Sequence, residues 1–313
     1  MISFRYHIFT IVAIFLAVGL GVLMGTSVVQ PALIDNLERQ VGDLKRDLGD
    51  TRAQVGELED RVEEQQRAGD ILPLVDRGTL TDVPVVIVTH EGVDGRLLLQ
   101  ARESLSEAGA DLVAVLSATE RMAASDDQAR ESLEEILGML GGSDPVALRE
   151  RAAEVLARRL VEGSPRRGAN PGQVDVLDQL LAANFLTTPP GAPGVSPGDL
   201  PDIGGQVVVV LSGGPDEPFA PPQDFLVPLV EGLVQLGATV AAGESASTEY
   251  PFVPELRSDE SVGDGTRMVT VDDLDFSVGG AALVLGLERL LLLGQGGNYG
   301  IKPGATGPIP PIT

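Results

Sequence analysis

The side chains in this sequence that are equipped for chemistry are few, and they gather in two places. His90-Glu91 follows an apolar run that ends at Thr89, and Asp272, Asp273 and Asp275 follow another that ends at Val271. An imidazole beside a carboxylate can move a proton or ligate a transition metal, and clustered carboxylates can hold a hard cation. Each also has a structural reading, a loop histidine in the first case and a helix cap in the second. Ser-His-Asp catalysis would have to use His90, because His7 is the only other histidine and no serine stands in a G-x-S-x-G turn. Ser212-Gly213-Gly214-Pro215 lacks the G-x-G-x-x-G spacing, which argues against a dinucleotide site. The chain therefore reads as a non-enzyme without a resident cofactor.

Both places sit where a strand ends. A βαβ pattern places a strand at 83–89, a helix from about 94 to 108 and a strand at 111–116. Val85-Val86-Ile87-Val88 is apolar on both faces, as in the middle of a covered parallel sheet. Helical segments follow at 126–140, 145–161 and 173–185, separated by glycines, and then a loop rich in proline and glycine. A second unit repeats the order with a strand at 207–211, a helix at 222–236 and a strand at 239–242. Ala108-Gly109-Ala110 and Leu236-Gly237-Ala238 precede the matching strands, which favours one sheet built from two similar βαβ units over two half-domains. Past an irregular, acidic stretch at 245–265 come a strand at 268–271 and an apolar helix at 280–293, whose start suits a carboxylate cap. Gly294-Gln295-Gly296-Gly297-Asn298-Tyr299-Gly300 reads as the turn that ends this helix, and the proline-rich remainder as an extended or disordered tail.

Upstream, residues 8–29 carry no charge and span roughly 33 Å as a helix, enough for a hydrocarbon core. The run is longer than the apolar core of a cleaved signal, so it reads as a retained anchor. Arg5 precedes it and Asp35 and Glu38 follow, which puts the N-terminus in the cytoplasm and the remainder outside. Gly21 and Gly25 form a G-x-x-x-G face for a close helix pair. Beyond Pro31, Leu37, Val41, Leu44, Leu48, Val55, Leu58 and Val62 keep steps of three and four with Ile34, polar Thr51 and Gln65 filling in, the a/d seam of a parallel coiled coil. A homodimer or higher homo-oligomer follows, the alternative being a single helix laid on the domain. The fold class is α/β: a transmembrane helix (1–30), a coiled-coil stalk (31–70), a first α/β unit with a helical insertion (79–186), a loop (187–205), a second unit (206–298) and an extended tail (299–313).

The net charge of −24 repels phosphate, so nucleic acid is excluded as a partner, and anionic lipid is excluded for the outer domain. The absence of cysteine agrees with export.

The opening Ile2-Ser3-x-Arg5-x-His7, Phe15-Leu16-Ala17 with the glycine pair, the stalk, Val271-Asp272-Asp273-Leu274-Asp275, and Gly296-Gly297-Asn298-Tyr299-Gly300 resemble, in that order, the actinobacterial copper transport protein family MctB. The resemblance covers nearly the whole chain. It implies copper efflux or copper homeostasis at the cell envelope, with copper as a transported ion, in a family described as an outer-membrane channel. The residues themselves offer little copper chemistry, since copper(I) prefers sulfur and copper(II) imidazole. Met122, Met139 and Met268 read as core residues. His90, Glu91, Asp272, Asp273 and Asp275 are the metal candidates. The alternative function is a non-enzymatic dimeric envelope scaffold that binds another protein or a cell-wall component.

Overall fold

Valine-rich runs set the centre of the molecule, because strands that are apolar on both faces must be covered on both. The computed structural model describes residues 6–25, 78–163, 175–193, 206–214, 218–258 and 267–311. In chain order its elements are α1 (Tyr6–Gly25), β1 (Pro84–His90), α2 (Gly95–Glu107), β2 (Asp111–Ala118), α3 (Asp127–Leu137), α4 (Pro145–Glu162), α5 (Val176–Ala182), β3 (Leu186–Thr187), β4 (Val207–Ser212), α6 (Pro222–Gln235), β5 (Val240–Glu244), α7 (Val253–Ser258), β6 (Met268–Val271), α8 (Ser277–Leu293) and β7 (Gly297–Tyr299).

Among the described residues the strands form one sheet of seven in the order β3-β2-β1-β4-β5-β6-β7. Every pairing is parallel except that of β2 with β3. Val86 lies opposite Val208 and Val88 opposite Val210, so the two apolar runs are neighbours at the middle. From β1 the chain moves outward to β2, then returns to the other side of β1 and proceeds outward through β4, β5, β6 and β7. Two helix layers bury the two faces. Val85, Ile87, Val209 and Leu211 pack with α2 and α8, while Val86, Val88, Val208 and Val210 pack with α3, α4, α5 and α6. Both βαβ segments have the element order expected, but they run outward in opposite directions with their helices on opposite faces.

Local chemistry sets the helix starts. Asp94, Asp126, Asp144 and Asp175 each accept a backbone N–H in the first turn of α2, α3, α4 and α5, each worth about 1 kcal/mol. Arg159 forms two hydrogen bonds to Asp175, at 2.7 and 2.8 Å, with both side chains almost wholly buried. Helix α8 differs. Its N-cap is Phe276, with no side-chain cap, so the expected carboxylate cap is absent.

α1 belongs to a separate unit, residues 1–64, and is described by itself. It has 20 residues, a mean hydropathy of 2.6 and no buried position, and by length and composition it is able to cross a membrane. The space beside Gly21 and Gly25 is open. The heptad positions Leu37, Val41, Leu44, Leu48, Val55, Leu58 and Val62 lie outside the described residues.

Two readings of the C-terminal region require correction. Gly294 does end α8, in a left-handed conformation, yet Gly297–Tyr299 continues as β7, paired with β6. The segment after it is not extended. The Gly300 N–H donates to the Gly307 carbonyl at 2.9 Å and the Thr306 N–H to that of Asn298 at 2.8 Å, and Pro310 is buried. Polar anchors hold this segment, and an apolar period carries no trace of them.

Candidate functional site

The carboxyl edge of the sheet collects the polar residues. In parallel register His90, Ser212 and Glu244 stand at the ends of β1, β4 and β5, and Asp272 follows the end of β6. Open α/β sheets bind ligands at this edge, above all where the strand order reverses, which here lies between β1 and β4.

At that reversal His90, only 3% exposed, meets Ser212. His90 Nδ1 lies 2.8 Å from the Glu91 carbonyl, so it carries the proton and donates it there, leaving Nε2 to accept from Ser212 Oγ at 3.3 Å. Burial pushes the imidazole below its ordinary pKa, only partly opposed by the Glu91 carbonyl. Among the described residues no carboxylate hydrogen-bonds the ring, so the pair there lacks the third group of a catalytic triad. The loops after β1 and β4 meet beside the pair: the Asp94 N–H donates to the Gly213 carbonyl at 2.8 Å, and a Cβ at Gly214 would overlap the Gly92 carbonyl. Glu91 turns away, its carboxylate accepting the Glu120 N–H at 3.2 Å.

The second cluster lies over β5 and β6. Glu244, fully buried, accepts the Phe252 and Val253 N–H groups at 2.7 and 3.0 Å and the Lys302 ammonium at 2.8 Å. Lys302 also donates to the Ser245 carbonyl. Asp272 takes the Arg257 guanidinium on one oxygen and the Ile301 and Lys302 N–H groups on the other. Arg257 further donates to Thr270 Oγ1 and to the Tyr299 carbonyl. Gly300 has φ +120°, and a Cβ there would overlap the Asp272 carboxylate, so only glycine lets the chain pass. Asp275 accepts the Ala246 N–H at 2.8 Å.

Asp273 is the exception. It is 1% exposed and neither carboxylate oxygen has a partner. Burial first, and then the neighbouring Asp272 and Asp275, push its pKa up to about 7.

Asp272, Asp273 and Asp275, adjacent in the sequence, serve different neighbours. No group of His, Cys, Asp or Glu among the described residues is arranged to hold a metal ion. His90 and Ser212, read separately as the ends of equivalent strands, come together. Glu244, Arg257 and Lys302 were not anticipated, although Lys302 is one of only two lysines in the chain. Met122 and Met268 are core residues and Met139 packs on the core, so soft copper ligands do not converge.

No curated protein matches the chain. The family model described as "Copper transport outer membrane protein, MctB" matches residues 1–310. With apolar α1, the α/β domain and both C-terminal motifs inside that match, the chain belongs to the MctB family of copper transport outer membrane proteins.

Proposed function

We propose that this protein serves copper efflux or copper homeostasis as a membrane-tethered, non-enzymatic component of the envelope. In this reading α1 is a single-pass anchor with a cytoplasmic N-terminus, the 34–65 heptads pair two chains, and the sheet domain of two similar βαβ units lies outside. The family match over residues 1–310 supports the copper role. The burial of His90 and Ser212, with the loops after β1 and β4 in contact beside them, supports a domain that acts by binding rather than by turnover.

Copper is cargo here, and the described residues offer it no donor set of its own. The domain then contributes through another envelope component that it contacts. Deletion of the gene is expected to change cell-associated copper and copper sensitivity, and a His90→Ala chain is expected to restore both. Unchanged copper in the deletion strain would instead favour a scaffold role unconnected to the metal. Failure of a folded H90A chain to complement would favour chemistry at the crevice. Separating inner from outer membranes decides which bilayer holds α1.

A further inference from the structure

Two depressions lie side by side on the α6 face and share Gln223 and Glu255. One, of about 340 Å³, is walled by Phe219, Tyr250 and the prolines Pro218, Pro221, Pro222 and Pro251. The other, of about 530 Å³, is rimmed by Glu150 of α4, Glu231 of α6 and Glu255 of α7. An apolar, proline-lined trough thus runs into an acidic one. Among the described residues no cationic side chain pairs with Glu150 or Glu255.

We propose that this groove binds an extended, proline-bearing segment of a partner protein that also carries arginine or lysine. Prolyl rings fit between aromatic and proline walls, and such segments are already extended in the polyproline II form, so little entropy is lost on docking. The wall is firm: the Phe219 ring packs on buried Phe225 with centroids 6.3 Å apart. The acidic end supplies the complementary charge. Pro228, inside α6, lines that end beside Glu231, and the three carboxylates there suit a guanidinium. A bare inorganic cation would leave the aromatic wall unused, and a phosphate-bearing partner would meet repulsion. The proposal needs only the folded α/β domain and stands apart from the copper reading.

The test uses the full chain in detergent and three fluorescent peptides of equal length, built on proline and arginine, on proline and glutamate, and on serine and arginine. The first is expected to bind saturably, with Kd on the order of micromolar. The second should not bind, and the third should bind about tenfold more weakly. Glu150→Gln with Glu255→Gln, and separately Tyr250→Ala, should each weaken the first about tenfold. Glu103→Gln with Glu107→Gln, the same change of charge on α2 across the sheet, should leave it unchanged. Equal binding of both arginine peptides, or equal loss from the α2 pair, would reduce the effect to overall negative charge and overturn the proposal. So would retained binding in both groove variants.

Discussion

Asp273 occupies the least favourable environment among the described carboxylates. Its folded pKa, about 7, lies above the ordinary 3.8, so the folded state holds a proton that the unfolded chain releases. The stability linked to that proton is fully present below 3.8 and is lost as pH rises through about 7. At higher pH the buried charge opposes folding by on the order of 2–4 kcal/mol. His90 has the opposite sign. Its folded pKa is depressed by burial, so its contribution is present above 6.5 and is lost as pH falls below that value toward the folded one. Asp273→Asn is therefore expected to raise the urea midpoint at about pH 8 and to leave it nearly unchanged at about pH 4. A D273N chain no more stable than the parent at the higher pH would contradict a buried acid without a donor. At this scale the sequence showed His90, Ser212 and Asp272 at strand ends, because each follows a valine-bearing apolar run, but not Glu244, which follows Val240-Ala241-Ala242-Gly243. It did not show their partners, which depend on strand register for Ser212 and on a distant segment for Asp272.

Among the elements, the segment after β7 anchors the carboxyl edge through the Ile301 and Lys302 N–H groups on Asp272 and the Lys302 ammonium on Glu244. Among the described residues Lys302 is the cationic partner of Glu244, which is wholly buried. Lys302→Met leaves that carboxylate charged and without a counter-ion, a loss of about 3–5 kcal/mol. Adding Glu244→Gln is expected to recover most of it, as judged by urea unfolding followed by circular dichroism. A double variant as unstable as the single one would show that Lys302 acts through packing alone. The apolar strands and the amphipathic helices were legible, since burial leaves a period in the sequence. β7 was not. Gly297-Asn298-Tyr299 has the composition of a turn and becomes a strand because β6 offers it a free edge. Helix α7 also escaped notice within an irregular, acidic stretch; its start packs where Glu244 accepts the Phe252 and Val253 N–H groups.

For the whole molecule, sequence gave the α/β class and the sheet, while strand order needed the structure. A βαβ segment can extend a sheet to either side of its first strand, and these two extend it to opposite sides of the β1–β4 centre. The proposed pairing of two chains makes its own prediction. Leu44→Lys with Leu48→Lys is expected to convert a dimer to a monomer in analytical ultracentrifugation, with the unfolding of the α/β domain unaltered. A parent chain already monomeric at all concentrations would rule the stalk out as a pairing device. One consequence follows from the place of β1. The polypeptide preceding it enters the domain at residues 78–83, where Leu80 is buried and its N–H donates to the Ala108 carbonyl, and runs on into a strand bonded on one side to β2 and on the other to β4. Tension arriving along that polypeptide is therefore carried as shear by two hydrogen-bond ladders together, which makes the central strand a mechanically robust point of attachment.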